Sequence, residues 1–294
     1  MKENLIPVAI KNVRDIVNIA VEYTPKNKAL VVYDTDNGLT EILTAAYREV
    51  LKDARFVDFN KVTKEEIIGI FDEMNENDLV VLIQSSSFLL NAFRIRLHLF
   101  NKKLKVIEHM HLYRNSEDVW DVYINSLEYD VSWYRRVGPA LKAKLENVQE
   151  LVIKGGSETL TITGGLESPK LNIGDYTGME NIGGTFPIGE VFTEALDLNN
   201  MNGSFMIYAF ADKNFDLKTH VPFRVEVQNG LVVGWGDNAP DTFREIVEMV
   251  KEIERPIFRE VGFGLNRAIT RERYLQDITA FERILGMHFS LGEK

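Results

Sequence analysis

Three short segments in the second half of the sequence each place a potential metal ligand between glycines and apolar residues. Residues 183–195 contain Glu190, residues 260–266 begin with Glu260, and residues 286–292 contain His288. A carboxylate buried in such surroundings is costly without a counter-charge, and a divalent metal ion would supply that charge. Taken singly, each glutamate is more often ion-paired or half-exposed than a ligand. The prediction of a metal site therefore depends on the three segments together.

A second candidate is the pair formed by His109 and His111. On a strand this His-x-His spacing places both imidazoles on one face, where they could share a metal. The alternative is that both lie in a loop or at an interface just past a strand, and the sequence offers no obvious third ligand nearby. His220 falls in a predicted strand and is expected to be a structural or surface residue.

The composition excludes several kinds of chemistry. The chain of 294 residues has no cysteine, which removes disulfides, thiolate metal sites and cysteine nucleophiles. With 34 Lys and Arg against 44 Asp and Glu, the net charge of −10 argues against nucleic-acid binding. The sequence has no apolar run of about 20 residues, so no membrane span is predicted, and the polar N-terminal residues favour a cytoplasmic location.

The first half of the sequence alternates between apolar runs and amphipathic helical patterns. Strands are predicted at 30–33, 56–59, 79–83 and 104–107, and Thr63 with Glu66 forms a capping box before the second helix. This alternation predicts an open parallel sheet. A dinucleotide site is not expected, because the turn after the first strand contains Asp34 and Asp36 with a single glycine, Gly38.

The second half is rich in strands. Val221–Val227 and Leu231–Trp235 flank Asn229 and Gly230, which predict a tight antiparallel hairpin. A helix beginning near Pro240 follows. The predicted fold class is thus α/β: a Rossmann-like open parallel-sheet domain over residues 1–147, and a mixed α+β domain with antiparallel strands and the metal site over residues 148–294.

The three glycine-punctuated segments resemble the aminopeptidase T type of metallo-aminopeptidase. That family has a Gly-Glu-Val-Phe-Thr segment with a downstream Asn-Gly, here at 189–193 and 202–203. It also has a Glu followed by Gly-x-Gly-x-Asn, and then a Gly-x-His, here at 260–266 and 286–288. The three motifs occur in this order, with Glu190, Glu260 and His288 separated by 70 and 28 residues.

The resemblance implies a two-domain homodimer that removes N-terminal residues from peptides. It also implies that Glu190, Glu260 and His288 bind one or two divalent ions, which would be Zn, Co or Mn. A metal-bound water would then attack a carbonyl polarised by the neighbouring ion.

The sequence departs from the family pattern after His288. The family has a tyrosine a few residues further on and a His-x-Asp pair downstream, whereas the six residues after His288 include no Tyr, His or Asp. The chain is therefore expected to be a C-terminally incomplete relative, either cut short or lacking part of the site.

Three functions follow as alternatives. The first is a metal-dependent aminopeptidase-like hydrolase acting on a peptide or another small molecule. The second is a noncatalytic binding or assembly protein that keeps the fold. The third is a relative of the mononuclear non-haem iron oxygenases, a group that typically uses two histidines and a carboxylate.

Overall fold

The computed structural model describes residues 2–90 and 93–293. Its α-helices are α1 (Lys2–Asp15), α2 (Gly38–Val50), α3 (Lys64–Asp72), α4 (Ile95–Asn101), α5 (Trp120–Ser126), α6 (Val131–Leu145), α7 (Asp241–Lys251) and α8 (Ile278–Phe281). In the described ranges no helix is both long and apolar enough to cross a membrane.

Among the described residues, the strands form one parallel and two antiparallel sheets. They are β1 (Ala29–Tyr33), β2 (Arg55–Asp58), β3 (Leu79–Ile83), β4 (Lys105–His109), β5 (Glu150–Gly155), β6 (Glu158–Thr163), β7 (Lys170–Asn172), β8 (Ile182–Thr185), β9 (Glu190–Glu194), β10 (Met201–Ala211), β11 (Leu217–Gln228), β12 (Leu231–Trp235), β13 (Phe258–Gly264) and β14 (Gly286–Leu291). The predicted α/β fold class, with a parallel sheet followed by antiparallel strands, is confirmed.

The parallel sheet has the order β2-β1-β3-β4-β8. Its inner strands β1, β3 and β4 are almost entirely buried. The continuous apolar runs of β1 and β3 predict this burial, whereas β4 also buries Glu108 and His109. The predicted capping box is present at the start of α3, where Thr63 and Glu66 satisfy each other's backbone N–H groups. Helix α2 begins after Asn37, whose side chain accepts a hydrogen bond from the N–H of Leu39.

The fifth strand of the parallel sheet, β8, comes from the second half of the sequence. It contains Gly183 and Gly184, and Gly183 has φ +106°. A Cβ at position 183 would lie 1.8 Å from the carbonyl oxygen of Val106 on β4, so a larger residue would prevent this pairing. The sequence did not predict this strand, because glycine disfavours strands in general.

The two antiparallel sheets have the orders β12-β11-β10-β6-β5 and β14-β13-β9-β7. Asn229 and Gly230 both have positive φ and join β11 to β12, which confirms the predicted hairpin. One apolar core includes Phe205 and Phe223 from the first sheet, Val261 from the second, and Phe243 and Val247 from α7. The second antiparallel sheet therefore packs one face, which includes Val261, against this core.

The chain forms two compact units that alternate along the sequence. Unit 1 comprises residues 1–134, 174–188 and 267–275, and unit 2 comprises 135–173, 189–266 and 276–294. A single boundary at 147–148 therefore differs from these units in two ways. Most of α6 belongs to unit 2, and two later segments return to unit 1, one of them carrying β8.

Candidate metal centre

Glu190, Glu260 and His288 come from three neighbouring strands of one antiparallel sheet. Glu190 begins β9, Glu260 lies on β13 and His288 on β14, and β13 is the middle strand of the three. Gly262 pairs with His288, and Gly264 pairs with Glu190. Since alternate residues of a strand share a face, residues 260, 262 and 264 lie on the same face as both partners. The register of the sheet therefore brings the three predicted ligands together.

The three side chains converge on a small volume. One ligand atom from each residue lies within 4.8 Å of the others. The Nε2 atom of His288 is 3.0 Å from Oε1 of Glu190 and 3.4 Å from Oε1 of Glu260. Ligands placed tetrahedrally around an ion at about 2.0–2.1 Å are roughly 3.3 Å apart, so both separations suit a common ion.

The glycines of the Gly-x-Gly motif create the space for this arrangement. A Cβ at position 262 would lie 2.0 Å from Nε2 of His288, so the imidazole lies directly over the glycine. A Cβ at position 264 would lie 1.9 Å from the carbonyl oxygen of Ile284. The motif therefore serves two functions: Gly262 admits the histidine ring and Gly264 admits the chain segment before β14.

The imidazole of His288 has no hydrogen-bond partner among the described residues. Both ring nitrogens are buried, and the nearby carboxylate oxygens do not meet Nε2 with hydrogen-bond geometry. A buried polar atom without a partner is costly. An ion held by Nε2 and the two carboxylates would remove this cost at Nε2, so the residues present fit a divalent metal ion.

The charged side chains of the centre shift each other's pKa values. Burial alone would lower the pKa of His288, but the carboxylates of Glu190 and Glu260 outweigh burial and raise that pKa to about 9. The same contact with His288 lowers the pKa of Glu260, against the effect of burial. Without a metal, the centre is therefore held together by a protonated imidazole between two carboxylates.

Two further residues belong to the centre, and the sequence analysis did not predict them. Nη1 of Arg283 lies 2.7 Å from Oε2 of Glu190 and 2.5 Å from Oε1 of Glu282. Burial raises the pKa of Glu282, while the Arg283 guanidinium opposes that shift. The sequence feature that could have identified them is the adjacent Glu and Arg between the apolar residues Phe281 and Ile284, since charged residues are rarely buried unless they are paired.

The other histidines lie elsewhere. His109 ends β4 and is fully buried, with Nε2 2.9 Å from the Tyr47 hydroxyl and Nδ1 3.0 Å from the Tyr123 hydroxyl. His111 has left-handed backbone geometry and its Nε2 contacts Ser87 Oγ at 2.7 Å. The two imidazoles thus have different partners, and the shared metal site considered for the His-x-His pair is not formed.

Two solved structures share this fold. One is 2,5-dihydroxypyridine dioxygenase from Pseudomonas putida KT2440, with a TM-score of 0.62 and 11% identity, over 96% of this chain and 84% of that chain. The other is wild-type AmpT, an aminopeptidase T, from Thermus thermophilus, with a TM-score of 0.62 and 11% identity, over 98% of this chain and 85% of that chain. These similarities show the fold. No protein-family model and no curated protein matches the sequence.

Proposed function

We propose that this protein is a metal-dependent hydrolase with one divalent ion held by Glu190, Glu260 and His288. The observation that carries this proposal is the convergence of three ligand atoms within 4.8 Å on neighbouring strands. The buried Nε2 of His288 supports it, because this atom forms no hydrogen bond and faces the two carboxylates that would share an ion with it. When bound, the ion supplies Lewis acidity, which activates water and polarises a carbonyl group.

The donor set favours a hydrolase over an oxygenase. Non-haem iron oxygenases typically use two histidines and one carboxylate, whereas this group has one histidine and two carboxylates. In the described part of the chain, no second histidine joins this group, since His109 and His111 have other partners. The fold shared with a dioxygenase therefore supports an oxygenase less strongly than the ligand types support a hydrolase.

Glu282 is the residue we assign to proton transfer. Its carboxyl is half-buried, interacts electrostatically with Glu190 and His288, and has a pKa raised chiefly by burial. A carboxyl group with a raised pKa accepts and returns protons more effectively near neutral pH. In this assignment Glu190, Glu260 and His288 bind the ion, and Glu282 accepts and returns the proton.

The proposed substrates are the N-terminal residues of peptides. Support comes from the fold shared with AmpT and from the ordered motifs around Glu190, Glu260 and His288. Zn, Co and Mn are the proposed metals, because carboxylate and imidazole ligands suit all three. A homodimer with a peptide substrate and no nucleic-acid partner is the proposed state.

A second candidate is a noncatalytic binding protein on the same fold. The ion pair between Arg283 and Glu190, together with the protonated His288, already balances much of the carboxylate charge. A centre of this kind could persist as a structural ion-pair network without metal.

Metal analysis combined with a hydrolysis assay distinguishes these candidates. The wild type, loaded with Zn²⁺ and desalted, is expected to retain one ion per chain and to release the N-terminal residue of an aminoacyl amide. Glu260→Ala is expected to lose the ion, and the exposed-helix control Glu248→Ala to retain it. Glu282→Gln should keep the ion and lose about 10²–10⁴-fold in kcat. Wild type that retains no metal and releases no residue would support the noncatalytic candidate instead.

A further inference from the structure

Arg283 is a buried cation placed at the centre by the local backbone. It is 7% exposed and follows the short helix α8. Its carbonyl oxygen accepts a hydrogen bond from the N–H of Asn266, and Gly264 allows the segment to pass close to β13. A charged side chain is rarely buried to this degree unless its partners require it.

The two carboxylate oxygens of Glu190 contact different cations, the guanidinium of Arg283 and the imidazole of His288. Oε2 of Glu190 is 2.7 Å from Nη1 of Arg283, whereas Oε1 is 3.0 Å from Nε2 of His288. An ion bound with His288 therefore has Oε1 available, and Oε2 is already occupied. A glutamate held in this way gives one oxygen to one ion and cannot bridge two ions.

Nη1 of Arg283 also contacts Glu282. Because one nitrogen lies within 2.7 Å of both Glu190 and Glu282, it occupies the space that a second cation would need between these carboxylates. Nε of Arg283 is buried and has no hydrogen-bond partner among residues 2–90 and 93–293. The side chain is therefore held by its charge contacts at Nη1 rather than by a complete hydrogen-bond network.

We propose that Arg283 is a fixed second cation of this centre and limits it to one divalent ion. The inference rests on the proposed metal site and specifies how many ions that site takes. Replacing the guanidinium by a neutral side chain removes the cation that lies between the carboxylates of Glu190 and Glu282. Two buried carboxylates in proximity either bind a cation or take up a proton, so the variant gains a second ion when metal is abundant.

The test is the number of ions per chain, measured by Zn²⁺ titration calorimetry and by elemental analysis after desalting. Wild type is expected to bind one ion and Arg283→Met two. Adding Glu282→Gln to Arg283→Met is expected to return the number to one, because a ligand of the second ion is lost. Arg255→Met removes an exposed arginine that pairs with Glu293, and this control is expected to bind one ion.

The outcomes separate this inference from the proposed function. Two ions in the wild type, or one ion in a folded Arg283→Met variant, would overturn the role of Arg283 and leave the metal site standing. No ion in the wild type would overturn both. If Arg283→Met does not fold, Arg283→Gln replaces it as the neutral variant. In either case, the number of Zn²⁺ ions bound by the wild type tests whether the centre is limited to one ion.

Discussion

At the scale of single residues, the properties of His288 follow from its position between two carboxylates. The same contacts that raise its pKa to about 9 require a proton to leave before a metal can bind. Metal affinity should therefore rise with pH. Between pH 6 and pH 8 we expect the apparent Zn²⁺ affinity to increase by about tenfold for each pH unit, because the neutral fraction of the imidazole does so.

Zn²⁺ titrations in a series of buffers at constant ionic strength would measure this dependence. Glu190→Gln provides a comparison, since removal of one carboxylate charge should bring the pKa of His288 closer to its ordinary value. An affinity in the wild type that does not change with pH would show that His288 is not the group that loses the proton.

Gly262 is important for the centre because it has no side chain. Gly262→Ala would place a methyl group 2.0 Å from Nε2 of His288, so the imidazole must move away from the two glutamates. We expect loss of at least 100-fold in metal affinity, with a folded chain, because the strand pairing itself does not need a glycine there. Gly69→Ala is a suitable control, since nothing lies within 4 Å of a Cβ at that position in α3. Unchanged metal binding in Gly262→Ala would contradict the geometry of the centre.

The three side chains of the candidate group could be selected from the sequence because each lies among glycines and apolar residues. Glu282 and Arg283 could not, because a charged pair carries no such mark and resembles an ordinary surface pair. Their burial depends on the passage of the segment over Gly264, which involves residues about 20 positions apart. Contacts of this kind depend on tertiary structure and not on local spacing.

At the scale of secondary-structure elements, the buried His109 connects several parts of unit 1. Its ring lies between Tyr47 of α2 and Tyr123 of α5. Tyr123 donates its hydroxyl hydrogen to the carbonyl of Phe186, so its oxygen accepts from Nδ1 of His109 and Nε2 accepts from Tyr47. All the polar atoms are satisfied only when the imidazole is neutral. Burial accordingly lowers the pKa of His109 to about 3.

This network predicts a specific loss of stability in acid. The unfolded histidine, with a pKa near 6.5, takes up a proton below that pH, whereas the folded one stays neutral until about pH 3. The contribution of His109 to stability is therefore complete above pH 6.5 and is lost progressively as the pH falls from 6.5 towards 3.

Urea unfolding at pH 7 and pH 5 would measure this effect. His109→Gln should be about 2–4 kcal/mol less stable than wild type at pH 7 and should show a weaker decrease between the two pH values. His98→Ala, at a partly exposed histidine paired with Asp72, serves as the control. Parallel decreases in wild type and His109→Gln would assign the acid sensitivity to other groups.

The elements themselves were predicted unevenly. The inner strands β1 and β3 are continuous apolar runs, and such runs predict buried parallel strands. Strand β4 was predicted from the shorter apolar stretch around Val106 and Ile107. Strand β8 has the sequence Ile-Gly-Gly-Thr and belongs to the sheet only because Gly183 lets it approach β4 closely. A strand defined by close backbone approach has no hydrophobic pattern to reveal it.

At the scale of the whole molecule, the fold class was predictable but the path of the chain was not. The change from alternating to strand-rich sequence correctly indicates a parallel sheet and antiparallel sheets. Residues 174–188 and 267–275 nevertheless return to unit 1. The sequence indicates where the pattern of helices and strands changes. It does not indicate that a short later segment adds a strand to an earlier sheet.

A metal ion that binds only the folded chain must stabilise the chain as a whole. The proposed ligands come from three strands that are far apart in sequence, so the candidate site exists only when the second antiparallel sheet is formed. With free Zn²⁺ at about 100 times Kd, linkage gives about 2.7 kcal/mol, and a rise of about 4 °C in Tm is expected. The rise should be reversed by a chelator and absent in Glu260→Ala, while Glu248→Ala should match the wild type. A metal-independent Tm in the wild type would instead mean that the protonated His288 and Arg283 are the permanent cations of this centre.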